Sequence, residues 1–102
     1  MHVAKSERSD DVYEGVLVLL YYSPRDEFSK ELERIFKVMA RIYGSEASFI
    51  KIKKSRLKRS KLIVSARGRV IAEFSSLSSL NEIKNAIEIA CGIALSRTTS
   101  TG

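Results

Sequence analysis

Hydrophobic residues along this chain fall into stretches of distinct spacing, and each spacing predicts an element. Residues 12–22, VYEGVLVLLYY, are rich in β-branched and aromatic side chains with little polar alternation, the pattern of a central strand buried on both faces. From Phe28 the period changes: Phe28, Leu32, Ile35, Phe36, Met39, Ile42 and Tyr43 recur at steps of three and four, while Lys30, Glu31, Glu33, Arg34, Lys37 and Arg41 take the opposite side. This is an amphipathic helix that ends at Gly44. Its start is predicted at Ser23-Pro24-Arg25-Asp26, which offers an N-cap serine, a proline at the first helical position and a carboxylate at the third.

The pattern then returns to strands. Residues 47–53 alternate, with Phe49 or its neighbours Ile50 and Ile52 expected toward the core and the lysines toward water. Residues 61–66 and 69–74 are apolar runs joined through Arg67-Gly68, a hairpin turn. Ser79-Leu80-Asn81-Glu82 is a capping box, and behind it Leu80, Ile83, Ala86, Ile87, Ala90 and Ala94 form one helical stripe. The order β, α, β, basic connector, β, β, α predicts an α/β domain: a parallel crossover followed by an antiparallel hairpin, giving a mixed sheet packed by helices. The domain is expected over residues 12–95, between a polar flexible arm at 1–11 and a polar flexible tail at 96–102.

Composition narrows the chemistry. The chain has 102 residues, one cysteine and one histidine, so neither an internal disulfide nor a Cys/His zinc site is available, and no metal or cofactor is expected. No apolar run approaches the roughly 18 residues of a membrane span, and the acidic residues Asp10, Asp11 and Glu14 precede the apolar run where an export signal wants positive charge. The cytoplasm is the expected compartment, and the lone Cys91 fits it.

Charge is local. Lys51, Lys53, Lys54, Arg56, Lys58, Arg59 and Lys61 occupy seven of eleven positions with no acid among them, so against a net charge of +6 the rest of the chain carries −1. Arg67 and Arg69 extend the patch. Such a block serves either as a solvated loop and edge strand or as a surface for phosphates or an acidic protein. No aromatic residue interleaves the basic ones from 51 to 61, which argues against base stacking and leaves any nucleic-acid contact electrostatic.

The stretch VLVLLYYSPRDEFSK resembles the strand and helix start that thioredoxins and protein disulfide isomerases write as a hydrophobic strand followed by F-Y-S-P-W-C-x-x-C. The segments LIVSARGRVIAEF and LSSLNEIKNAIE are similar to that fold's closing hairpin and final helix. The resemblance implies a thioredoxin-like fold over about residues 12–95, with the two redox cysteines replaced by Asp26 and Ser29 and the cis-proline before the third strand replaced by Ser60 or Lys61. It also implies a helix between the second and third strands, where this chain has only residues 54–60.

Without the two motif thiols the dithiol exchange of that fold has no attacking group at this turn. Asp26, Glu27 and Ser29 read as capping residues, with no histidine or lysine placed by local spacing to activate Ser29. The expected function is therefore a non-catalytic, redox-inactive binding module that is not an enzyme. The alternative is a small basic protein that binds nucleic-acid phosphates through residues 51–61. Tyr21, Tyr22 and Tyr43 read as core or rim packing. Ile89 and Ile93, off the main stripe of the last helix, suggest a weak homodimer unless another segment covers them.

Overall fold

Val16–Tyr22 forms the strand around which the rest is assembled, β1. The computed structural model describes residues 15–101, and after β1 come α1 (Ser29–Tyr43), β2 (Ala47–Lys53), β3 (Lys61–Ala66), β4 (Arg69–Ser75) and α2 (Leu80–Thr101). The sheet order is β2-β1-β3-β4. β2 runs parallel to β1, with Val18 opposite Phe49, and β3 runs antiparallel to it, with Val18 opposite Val64. β3 and β4 form the expected hairpin, whose turn places both Arg67 (φ 54°) and Gly68 (φ 80°) in the left-handed region. That is the conformation a tight two-residue hairpin turn demands, and glycine meets it without strain.

Register divides the sheet into two unlike faces. Val16, Val18 and Leu20 of β1 share a face with Leu62, Val64 and Ala66 of β3, and all six are buried in one core with Leu32, Ile35, Phe36 and Met39 of α1 and Ile83, Ala86, Ile87 and Ala90 of α2. Both helices therefore pack on the same side. Phe49 joins this core edge-to-face with Phe36, their rings 5.6 Å apart. Tyr43 bridges the two helices by donating its hydroxyl to Glu88 at 2.8 Å. This contact and burial push the phenol up to about 12, with the Glu88 carboxylate the larger cause.

The opposite face carries Leu17, Leu19 and Tyr21 of β1, Ile50 and Ile52 of β2 and Ile63 of β3, none of which belongs to the core. This corrects the expectation that β1 is buried on both faces. A continuous apolar run is also what a strand shows when its second face is apolar but uncovered. The same register decides between the two alternatives for β2: Phe49 points to the core, Ile50 and Ile52 point away, and the exposed Lys51 and Lys53 fall on the Phe49 side.

The first helix begins later than its sequence suggests. Residues 24–28 form consecutive turns, α1 starts at Ser29, and no side chain caps it. Ser23 and Asp26 hold distant segments instead of the helix end, as described below. At the other end the helix stops before Gly44 as expected, and Gly44 keeps right-handed angles, φ −60° and ψ −23°. Its lack of a side chain matters because a Cβ there would sit 2.5 Å from the Ala40 carbonyl oxygen. The capping box of α2 is as expected: Ser79 N–H donates to Glu82 Oε1 at 3.0 Å and Glu82 N–H donates to Ser79 Oγ at 3.2 Å. α2 continues through Thr101 rather than ending at 95, as no glycine or proline interrupts residues 93–101. The arm at 1–11 lies outside the described residues.

Candidate functional site

The C-terminal ends of β1 and β2 and the start of β3 lie at one end of the sheet, which explains how residues 54–60 replace a helix. β3 is antiparallel to β2, so the chain has only to cross the end of β1, about 10 Å at the usual strand spacing. It is tied there at each step. Lys54 N–H donates to the Tyr22 carbonyl at 2.7 Å, Ser23 Oγ donates to the Leu57 carbonyl, and Ser23 N–H donates to Ser60 Oγ at 2.8 Å.

Asp26 completes the clamp. It is 6% exposed, and its carboxylate accepts from Phe28 N–H at 2.9 Å, from Ser60 N–H at 2.7 Å and from the Ser76 hydroxyl. One side chain thus joins the turn after β1, the connector before β3 and the loop after β4. Burial pushes this carboxyl up, but the three hydrogen bonds, with Ser76 the largest and the positive field of Arg59 helping, outweigh it and hold Asp26 below its ordinary 3.8. Ser29, one helical turn on, is buried and donates to Glu33 at 3.4 Å. Every buried polar side-chain atom among the described residues has a partner. The hydroxyls of Ser23 and Ser76 and this carboxylate are committed to holding segments together.

Around this clamp stand the basic residues. Lys51, Lys53, Lys54, Arg56, Lys58, Arg59 and Lys61 are all exposed and all at this end of the sheet. Lys51 pairs with Glu33 at 2.8 Å, whereas Lys53, Lys54, Arg56, Lys58, Arg59 and Lys61 have no carboxylate within ion-pair distance among the described residues. β1 supplies the aromatic surface that the basic segment lacks in sequence: Lys51 Nζ lies 4.8 Å from the centre of the Tyr22 ring, and Lys54 Nζ 5.6 Å from that of Tyr21. Arg25, exposed in the turn after β1, adds a further charge at this end, and nothing in its sequence neighbourhood signals it.

Arg67 and Arg69 are not part of this cluster. They flank the β3–β4 turn, opposite the Val16 end of β1, and line a separate shallow cleft of about 420 Å³ with Ala66, Ile71 and Ile93. Their place in sequence suggested one patch, and the antiparallel hairpin carries them to the far end of the sheet. Ile93 packs partly against the core, which leaves Ile89, 57% exposed, as the open half of the pair on α2. Cys91 is a free thiol on α2. Burial, followed by the nearby Glu46 carboxylate, pushes it up, so it stays protonated and is a poor nucleophile. Among the described residues no helix is long and apolar enough to cross a membrane.

This arrangement of strands and helices is a thioredoxin-like fold. The reduced thioredoxin of Schistosoma mansoni superposes with a TM-score of 0.65 at 13% identity, over 85% of this chain and 90% of that one. A point-mutant thioredoxin from Halobacterium salinarum gives a TM-score of 0.62 at 20% identity, over 83% of this chain and 84% of that one. The germline-specific thioredoxin Deadhead of Drosophila melanogaster gives 0.59 at 21% identity, over 86% of this chain and 92% of that one. No family model matches the chain, and no curated protein matches it. With a single cysteine the chain has no CxxC motif, and its one thiol lies on α2, away from the turn after β1.

Proposed function

We propose that this chain is a non-catalytic, redox-inactive thioredoxin-like binding module that docks an acidic protein partner through the basic end of its sheet. The observation that carries the reading is Asp26. At the position the resemblance assigns to the attacking cysteine stands a carboxylate whose bonds to Phe28, Ser60 and Ser76 make it a structural tie. Around that tie, Lys53, Lys54, Arg56, Lys58, Arg59 and Lys61 project charge with no carboxylate partner among the described residues. Unpaired charges clustered on one surface steer and hold an oppositely charged partner. The cytoplasm is the compartment we assign to it, on the strength of the reduced lone thiol.

Two measurements test the reading. In an insulin-reduction assay the chain produces no thiol-dependent turnover; turnover would overturn the non-catalytic assignment. In binding experiments at about 50 and 200 mM salt, a labelled glutamate-rich peptide binds more weakly at the higher salt and is lost on combining Lys53→Glu, Arg56→Glu and Lys58→Glu. Binding that ignores salt or survives the reversals removes the basic end from the argument. Duplex or single-stranded DNA binding more tightly than the peptide would transfer the surface to a nucleic-acid partner.

A further inference from the structure

The sheet face turned away from both helices presents six apolar side chains, Leu17, Leu19, Tyr21, Ile50, Ile52 and Ile63, on three adjacent strands. None joins the core, and no helix packs over them among the described residues, although Ile50 alone is 36% exposed. We infer that this face is the seat of one amphipathic helix from a protein partner, with an apolar stripe toward the sheet and acidic flanks. The inference rests on the reading of the chain as a binding module and names where and in what form the partner engages.

Three observations select this occupant. The first is the connector: residues 54–60 pass from β2 to β3 over the end of β1 without forming a helix, so no element between those two strands covers this face. The rows from Leu17 to Tyr21 span about 13 Å at the strand rise, a length that a helix of about ten residues covers. The second is charge. Lys61 shares the Tyr21 rung and Lys54 lies over the Tyr21 ring, so the face is basic at its Tyr21 end. Glu73, opposite Ile63, is the single carboxylate among the described strand residues of this face. A second copy laid head-to-head would bring these like charges together, whereas the acidic flank of a helix meets them favourably.

The third observation removes the nearest segment of the chain itself. Residues 1–14 include seven consecutive polar residues, KSERSDD, between Ala4 and Val12, so their sequence carries no helical apolar stripe.

The test is a titration of the isotope-labelled full chain with a synthetic 18-residue helix bearing leucines at i, i+3, i+4 and i+7 positions and glutamates on its flanks. The expected result is saturable shifts at the Leu19, Ile50, Ile52 and Ile63 methyl groups and none at Ile83 or Ile87. Ile50→Glu, on an edge strand outside the core, weakens binding about tenfold, whereas Ile89→Glu on the helix side leaves it unchanged. Lys61→Glu provides a second weakening variant that removes no apolar side chain, and a lysine-flanked version of the peptide fails to bind. A scrambled peptide that binds equally well, or shifts confined to the helices, overturns the inference. So do contacts between residues 1–14 and the Leu19 methyl groups in the free chain, or a dimer by light scattering that Ile50→Glu dissolves. A chain that captures the glutamate-rich peptide but not the amphipathic one keeps the proposed function and loses this inference, and thiol-dependent insulin turnover would do the reverse.

Discussion

Asp26→Asn isolates the clamp with the smallest change of shape. The aspartate accepts three hydrogen bonds, from Phe28 N–H at 2.9 Å, Ser60 N–H at 2.7 Å and the Ser76 hydroxyl. An asparagine has one oxygen and one NH₂ group in place of two acceptors. Whichever way it is turned, a backbone N–H that now meets an oxygen must face a donor. Ser76 can rotate its hydroxyl to accept, but Phe28 N–H or Ser60 N–H cannot adapt. A buried donor left without an acceptor costs about 1–3 kcal/mol. For a domain of this size each kcal/mol lowers Tm by roughly 4–8 °C.

The pH dependence supplies the sharper check. Asp26 is held below its ordinary 3.8 in the folded chain because its hydrogen bonds outweigh the opposing effect of burial. A carboxyl with a depressed folded value contributes stability that is fully present above the unfolded value and is lost as pH falls through the folded one. The gap between wild type and Asp26→Asn in urea melts should therefore be widest from neutral pH down to about 5 and should close below about 4. Equal stabilities at pH 7, or a gap that widens in acid, would refute the assignment of Asp26 as a charged tie.

Further expectations follow from single contacts. Gly68→Val forces a β-branched residue to φ 80° in the β3–β4 turn and should destabilise by about 1–2 kcal/mol in chemical denaturation, with strand register unchanged by NMR. Ser79→Ala removes the acceptor for Glu82 N–H at 3.2 Å and should cost about 0.5–2 kcal/mol by the same measure, with Ser79→Asp restoring most of it. Tyr43 should ionise only near 12 in an absorbance titration, and Tyr43→Phe should remove that step. Since a raised phenol value stabilises the fold below about 10, Tyr43 also contributes stability that fades between 10 and 12, and the phenylalanine variant should lack this alkaline loss.

What was legible in the sequence was what local chemistry decides. The capping box at Ser79 and Glu82, the hairpin turn at Arg67-Gly68 and the three-to-four spacing of α1 each need only near neighbours, and each stands as read. The start of α1 was misplaced because Ser-Pro-Arg-Asp fits a helix cap equally well, while the actual partners of Ser23 and Asp26 lie 34 to 50 residues away at Leu57, Ser60 and Ser76. Hydrogen-bond partners at that separation leave no periodic mark. The second face of β1 was misread for a related reason: Leu17 and Leu19 have the composition of buried residues, and only the position of both helices shows what lies opposite them. Within the candidate site the seven basic residues from Lys51 to Lys61 were legible as a cluster, whereas the Tyr21 and Tyr22 rings beneath them come from another strand.

The clamp and a dithiol are competing solutions for one turn, and the competition can be measured. Asp26→Cys combined with Ser29→Cys gives the chain a CxxC spacing, but a thiol is a weak acceptor and cannot replace a carboxylate that holds Ser60 N–H at 2.7 Å. Ser60 is 1% exposed, so in the reduced double variant its amide is released from its partner without gaining water in the closed state. The connector must open more often to satisfy it. Amide exchange at Ser60 should therefore accelerate at least about tenfold, equivalent to about 1.4 kcal/mol, beyond whatever change the Ala86–Ala90 amides of α2 report for global unfolding. With no helix between β2 and β3 to brace the crossing, the Asp26 tie joins those of Ser23 and Lys54 in holding residues 54–60 over the end of β1. Unchanged protection at Ser60 would mean that the Ser23 and Lys54 contacts hold the connector without help, and the assignment of Asp26 as one of its ties would fail.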